Sequence, residues 1–180
     1  GITIMLMNES LDTGPVLNSL KIKPTIVLGF CSETIIQKIR NYDADIIVNS
    51  NYKNGKTSSI IIGLDAISKV DDILLMSIDQ PRPKYILEKL IKNHFQSGKE
   101  ITIPKFILED GSLKGGHPVI LSNKILDEMY KFISSEKTMK DFILSKNSIN
   151  EVIFEDPLIK LDLNNKQDYF EGQKLFVKST

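Results

Sequence analysis

The sequence has a single cysteine and no excess of charge of either sign. Cys31 has no partner for an internal disulfide or for a thiolate metal site, which favours a reducing, cytoplasmic environment. We expect this thiol to be buried and inert, because free cysteines are among the most buried residues. The 23 basic and 23 acidic side chains cancel, so no overall field attracts nucleic acid or an anionic membrane. Neither is expected as a partner.

Long apolar segments and recognisable leader sequences are also missing. The longest apolar runs, at 59–64 and 73–78, are far shorter than the roughly 20 residues that span a bilayer. We therefore expect no membrane span. The first residue is Gly1 rather than Met, and nothing near it resembles a signal peptide, so we expect that sequence upstream of Gly1 belongs to the protein.

Short segments rich in β-branched residues alternate with longer segments at helical spacing, a pattern typical of βαβ units around a parallel sheet. At 180 residues and 41% hydrophobic content, one ordinary domain is expected. Strands are predicted at 2–7, 25–30, 45–49, 73–77, 101–106, 151–155 and 159–162. Helices are predicted at 33–40, 58–69, 83–96, 123–132, 139–146 and 166–175. Ser32 is expected to cap the first helix, Pro83 to open the third, and 109–116 to form a hairpin or excursion at the rim of the sheet.

Two carboxylates follow predicted strands. Asp79 comes directly after the apolar segment 73–78, and Asp162 ends the segment 159–162. Ligands of open α/β sheets bind beyond the carboxyl ends of the strands, and carboxylates together with substrate phosphates form the usual magnesium site. However, Asp also commonly caps the turn after a strand, and spacing alone favours this second interpretation.

A polar loop, 49–59, leads into a predicted helix, and its main-chain amides could receive an anion or a base edge. Gly55-Lys56-Thr57 completes only half of a Walker phosphate loop, because Ser50 stands where glycine is needed. A Walker loop is therefore not expected.

The other candidate motifs are weaker. Asp12-Thr13-Gly14 matches the aspartic protease triplet, but no second copy exists to share a proton. His117 lies in a glycine-flanked segment where it could approach a ligand, whereas His94 is expected to be a packing or solvated residue of a helix. The two histidines and one cysteine do not form a recognisable zinc site, and residue order alone supports no Ser-His-Asp triad.

Several motifs follow one another along the chain: the loop from Asn49 through Gly55 to Ser58-Ser59, then Gly63-Leu64, Asp79-Gln80-Pro81, Gly116-His117-Pro118, and Leu161-Asp162 followed by Asp168-Tyr169. In this order and spacing, the sequence from about Pro24 to Phe170 resembles the MobA-like nucleotidyltransferases. The resemblance implies a three-layer α/β/α Rossmann-like fold with a mainly parallel sheet. Within the family, the sequence resembles the molybdenum cofactor cytidylyltransferases that act in the maturation of xanthine dehydrogenase-type enzymes.

The resemblance also implies roles for individual residues. Asp79 and Asp162 would be the catalytic carboxylates that hold magnesium. The nucleotide would be bound by Asn49, Gly55, Ser58, Ser59 and Gly63, and the pterin substrate by Gly116, His117 and Pro118. The implied reaction transfers CMP from CTP to molybdopterin, with GTP as the other nucleotide and a molybdenum hydroxylase as the recipient of the cofactor.

The beginning of the chain departs from the family. The phosphate-binding loop of pattern L-A-A-G-x-S-x-R-M-G-x-x-x-K is absent, and residues 1–15 instead resemble the formyltransferase segment G-V-T-I-x-x-M-x-E-x-x-D-T-G-P. In that second family the residue matching Asp12 is a catalytic carboxylate. A weaker alignment matches Glu9-Ser10 and Gly14 to the missing loop, but places Asp12 where arginine belongs. We predict a formyltransferase-like segment at 1–17 and a nucleotidyltransferase domain at 18–177.

The missing loop leaves more than one function open. The first is a magnesium-dependent nucleotidyltransferase, for which the lost cations predict slow turnover or none. The second is a catalytically impaired remnant that binds a nucleotide or pterin. The third is part of a fusion between formyltransferase and nucleotidyltransferase domains.

Overall fold

A computed structural model describes residues 2–7, 23–69 and 71–178. Its strands are β1 (Ile2–Met7), β2 (Thr25–Leu28), β3 (Asp45–Val48), β4 (Asp72–Ser77), β5 (Ile101–Ile107), β6 (Leu113–Gly115), β7 (Val119–Leu121) and β8 (Ile149–Phe154). Its helices are α1 (Ser32–Ile39), α2 (Lys56–Asp65), α3 (Lys84–Ser97), α4 (Leu126–Ile133), α5 (Met139–Leu144) and α6 (Lys166–Lys178). Short 3-10 turns lie at Tyr52–Asn54, Asn123–Ile125 and Pro157–Lys160.

The strands form one mixed sheet in the order β3-β2-β1-β4-β7-β5-β6, and β8 also pairs with β5. Only the pairs β2·β3 and β5·β8 are parallel, and the other pairings of the described strands are antiparallel. The expected α/β class is confirmed, but the sheet is only partly parallel rather than mainly so.

The segment Ile2–Met7 lies inside this sheet. β1 runs antiparallel to both of its neighbours, with Ile2 opposite Val27 of β2 and opposite Ser77 of β4. The prediction that this segment pairs into the sheet is confirmed. Because β2 and β4 both oppose β1, they run in the same direction, and their carboxyl ends reach the same edge.

The core has two parts, one on each face of the sheet. Alternate residues of β4 point to opposite faces, as the period of a strand requires. Ile73 and Leu75 pack with α2, α4 and α5, whereas Leu74 packs with α3 and with residues of α6. The helices therefore cover both faces, which gives the three layers expected from the sequence. None of the described helices has the length and apolar character needed to cross a membrane.

Three local predictions, one in the 159–162 region and two at the start of α1, are wrong. Residues 157–160 form a 3-10 turn rather than a strand, because Asp156 caps it and Pro157 opens it. Ser32 is the first residue of α1 and not its cap; Cys31 precedes it in a left-handed conformation with φ 55°. Cys31 is also exposed rather than buried, because it lies in the turn beyond the buried part of β2.

Other boundaries differ by little. Pro83 immediately precedes α3 instead of being its first residue. The predicted hairpin at 109–116 is present, with Ile107 of β5 opposite Leu113 of β6 and a turn that contains Gly111 at φ 81°. β7 was not predicted from the sequence.

Candidate functional site

The two predicted metal ligands lie at the same edge of the sheet. Asp79 follows the end of β4, and Asp162 follows the 3-10 turn Pro157–Lys160. The two segments are joined directly, because the amide of Leu163 donates a hydrogen bond of 2.8 Å to the carbonyl of Asp79. Asp162 Oδ1 and the Oε1 of Gln80, the residue after Asp79, are buried without a hydrogen-bond partner in the described part of the chain. Such acceptors are uncommon and call for a donor or a cation.

Arg82 is a buried residue that fixes the segments around the two carboxylates. Its Nη1 donates to the carbonyls of Leu161 at 2.8 Å and Pro81 at 2.9 Å, and its Nε donates to the carbonyl of His117 at 3.3 Å. Burial lowers the pKa of Arg82 to about 10, while Asp162 and Asp79 oppose this shift. The guanidinium is therefore still a cation at neutral pH.

Lys56 brings a second cation to the same place. It is the first residue of α2, and its Nζ donates to Ser77 Oγ at 2.6 Å and lies 2.9 Å from His117 Nε2. Although part of the residue is exposed, its ammonium end is turned inward. Loss of water there lowers the pKa of Lys56, while Asp79 and then Asp162 act in the opposite direction.

His117 is neutral at physiological pH. Burial, followed by the charge of Lys56, lowers its pKa to about 4. Because an ammonium can only donate, Nε2 is the acceptor in the contact with Lys56, and the proton is on Nδ1. Nδ1 of His117 is buried and has no hydrogen-bond partner among the described residues. The main chain of Leu75 is nevertheless near enough to raise the pKa of His117, against the larger effects that lower it.

Asn49 organises the predicted nucleotide loop. It is completely buried, and its Nδ2 donates to Ser58 Oγ and Ser59 Oγ, both at 2.9 Å. Its Oδ1 accepts from the amide of Asn51 at 2.8 Å. The side chain of Asn49 is thus used to shape the loop, and the structure brings Asn49, Ser58 and Ser59 together as the sequence suggested.

The remaining predicted residues are placed differently from one another. Gly55 is exposed at φ 90° just before α2, whereas Gly63 is buried within α2 and outside the exposed loop. Gly116 is partly buried, and its amide donates to the carbonyl of Pro104. Pro118 is buried after a cis peptide bond. Since β7 is antiparallel to β4, residues 116–118 begin next to the end of β4, beside the carboxylates.

The site offers a limited set of metal ligands. Across residues 2–7, 23–69 and 71–178, no group of three or more His, Cys, Asp or Glu side chains is arranged to hold a metal ion. Two carboxylates, one with an unpaired buried oxygen, nevertheless suit magnesium, which usually keeps water and substrate phosphates as its other ligands.

The sequence did not identify Lys56 and Arg82 as site residues. Lys56 was noted only as part of an incomplete Walker pattern, and Arg82 follows Pro81 without a recognisable motif. Their positions in the sequence could have indicated them: Lys56 directly follows Gly55 of the predicted nucleotide loop, and Arg82 lies three residues after Asp79.

Comparison with known proteins places this architecture among nucleotidyltransferases. No curated protein sequence matches the chain. Among solved structures, 4-diphosphocytidyl-2C-methyl-D-erythritol synthase from Anaerococcus prevotii has a TM-score of 0.63 at 18% identity, over 84% of this chain and 80% of that one. Rv0371C of Mycobacterium tuberculosis, solved in complex with manganese, has a TM-score of 0.59 at 18% identity, over 83% and 76% of the two chains.

A third similar structure is that of a molybdopterin-guanine dinucleotide biosynthesis protein. Molybdopterin-guanine dinucleotide biosynthesis protein A from Archaeoglobus fulgidus has a TM-score of 0.55 at 16% identity, over 84% of this chain and 78% of that one. At these identities the structural likeness shows the fold alone. The sequence pattern of the MobA-like NTP transferase domain matches residues 16–149, which is most of the chain. This chain therefore belongs to the MobA-like NTP transferase domain family.

Proposed function

We propose that this chain transfers a nucleotide from a nucleoside triphosphate to molybdopterin, with CTP as the first candidate and GTP as the other. The observation that supports this most is the buried, unpaired Oδ1 of Asp162 beside Asp79. These carboxylates share a sheet edge with the Asn49 loop and with His117, so groups suited to metal, nucleotide and acceptor meet in one place.

In this proposal, Asp79 and Asp162 would hold one magnesium ion. The ion, when bound, neutralises charge that develops on the phosphates. A phosphate oxygen of the acceptor attacks the α-phosphorus of the nucleotide, and pyrophosphate leaves. A manganese complex is known for the similar fold of Rv0371C, and oxygen ligands of this kind accept either ion.

The chain's own residues position the two substrates. The loop shaped by Asn49, Ser58 and Ser59 presents main-chain amides and Gly55 to the base and ribose. The acceptor approaches Gly116, His117 and Pro118, where a neutral imidazole offers no charge to compete with the metal. A molybdenum hydroxylase that receives the finished cofactor is part of the same proposal.

The test follows pyrophosphate release by the purified chain with magnesium, CTP and molybdopterin, using Asp79→Asn as the blank and the exposed Asp43→Asn as the matched control. We expect magnesium-dependent release that is lost in Asp79→Asn and kept in Asp43→Asn. The rate should be well below ordinary enzymatic rates, because each preorganised donor missing from the family's loop is worth roughly 3 kcal/mol in the transition state.

Several outcomes would change this conclusion. Release that persists in Asp79→Asn, or the absence of both release and magnesium-dependent CTP binding, would contradict the proposal. Ordinary rates that vanish in the variant would show that other residues replace the missing loop. CTP binding without release would favour the alternative, a binding domain without turnover, which the missing loop supports.

A further inference from the structure

One side chain at the site has partners that do not explain its position. Lys56 extends from the start of α2, immediately after Gly55 at φ 90°. Its Nζ contacts Ser77 at the end of β4 and His117 before β7, at 2.6 Å and 2.9 Å. The ammonium group therefore lies where the nucleotide loop, the carboxylate strand and the acceptor segment converge.

Among the residues that the structure describes, no anionic side chain lies at contact distance from the ammonium of Lys56. Ser77 and His117 are both neutral, and none of the ion pairs between described residues includes Lys56. Asp79 and Asp162 attract its charge from farther away. A divalent ion held by these two carboxylates would neutralise their negative charges. The positive charges of Lys56 and Arg82 would then be left without a counter-charge, which an anionic ligand could supply.

Helix stability does not account for Lys56 either. A cation in the first turn opposes the helix dipole, whose amino end is positive, and the first turn of α2 contains no acidic residue to offset it. The positive end of α2 and the ammonium of Lys56 instead add to each other. Both favour a negatively charged ligand at this point.

We propose that Lys56 is a phosphate-binding residue, whose ammonium leaves Ser77 and His117 to contact an oxygen of the nucleotide's phosphates. This inference rests on the proposed function, because it takes the same magnesium nucleotide as its ligand. It assigns to α2 part of the cationic role that the family's missing loop would perform. Hydrogen bonds between an ammonium and a phosphate are among the stronger ones in proteins.

The experiment measures binding of CTP with magnesium by calorimetry for the wild type, Lys56→Met and Lys56→Arg. Lys92→Met, which removes an exposed lysine from α3, is the matched control for loss of charge. We expect Lys56→Met to weaken CTP binding by roughly tenfold or more, Lys56→Arg to retain most of it, and Lys92→Met to bind like the wild type. Thermal unfolding of each variant monitors the fold.

The outcomes separate this inference from the proposed function. The inference is overturned if Lys56→Met binds CTP like the wild type. It is also overturned if Lys56→Arg loses as much CTP binding as Lys56→Met and has a lower unfolding midpoint, because Lys56 then has a structural role. If Asp79→Asn loses CTP binding and Lys56→Met does not, the proposed function is supported and the inference about Lys56 is contradicted. Lys56-dependent binding without pyrophosphate release supports the inference and contradicts turnover, whereas no binding by the wild type overturns both.

Discussion

Arg82 holds together segments that are far apart in the sequence. Its guanidinium donates to the carbonyls of Pro81, Leu161 and His117, so Arg82→Met would leave buried carbonyls without a donor. Unsatisfied buried groups cost about 1–3 kcal/mol each. We expect the free energy of unfolding, measured in urea, to fall by about 2–4 kcal/mol. Arg40→Met, at an exposed position after α1, should change it little, and equal stabilities of the two variants would contradict this role for Arg82.

His117 predicts a specific dependence of stability on pH. Its pKa is about 4 in the folded chain, below the ordinary value of 6.5, because of burial and the nearby Lys56. Between these two pH values the unfolded chain binds a proton that the folded chain does not, so stability is fully present above pH 6.5 and falls as pH drops toward 4. The loss should be about 3 kcal/mol at most.

Urea unfolding of the wild type and of His117→Gln between pH 7 and pH 4.5 measures this effect. The variant should lose stability less steeply across the window. The pKa values of Asp72, Asp110 and Asp141 are lowered from the ordinary value of 3.8. Their contributions to stability are therefore lost only as the pH falls below 3.8, outside the measured window. Parallel curves for the two proteins would show that His117 is not the group responsible.

At the scale of residues, the sequence located the carboxylates better than the cations. Asp79 could be placed at the ligand edge because it follows a strand of an α/β sheet, whereas Asp162 reaches the same edge from a 3-10 turn and not from the strand that the sequence predicted. Lys56 and Arg82 could not be placed there, since a long side chain can point in several directions and only the packed structure fixes where its charged end lies. The exposure of Cys31 was not predicted either, because its position in the turn after β2, and not its residue type, keeps it outside the core.

At the scale of elements, β1 is expected to be essential to the sheet. It hydrogen-bonds to β2 on one side and to β4 on the other, so its removal would expose the backbone groups of two strands. Deleting residues 1–15 should lower the midpoint of thermal unfolding, and Ile4→Pro should do the same because proline cannot donate within a central strand. An unchanged midpoint after the deletion would mean that the segment is only an appendage.

The elements that the sequence predicted well are long or strongly apolar. Residues 73–77 and 83–96 match β4 and α3 within one residue at each end. β7 has only three residues, all buried, and so short an apolar segment carries no period that separates strand from helix. Residues 159–162 were apolar enough for a strand, but the capping Asp156 and Pro157 determined the local conformation.

At the scale of the whole molecule, ligand binding should be visible as added stability. A ligand that binds only the folded chain stabilises it by about 2.7 kcal/mol at a concentration one hundred times its Kd. Magnesium and CTP together should therefore raise the unfolding midpoint of the wild type, and much less that of Asp162→Asn. Equal increases in both proteins would show that the nucleotide binds away from the carboxylate pair.

The direction of the strands was the largest feature that the sequence did not reveal. Apolar alternation shows which residues face the core, and helices between strands suggest parallel pairing. Neither shows that β1 lies between β2 and β4 in the opposite direction, because that depends on contacts between segments distant in the chain.

The position of β1 also has a consequence for synthesis on the ribosome. Met7 pairs with Asp72, so β1, which is synthesised before β2 and β4, has a neighbour on both sides only after β4 has emerged. Translation at ~5–20 residues per second makes this delay several seconds long. During that time an apolar strand with free backbone groups is exposed to other nascent chains. We expect ribosome-bound chains that stop before β4 to recruit chaperones that hold unfolded segments, and longer chains that include β4 to release them.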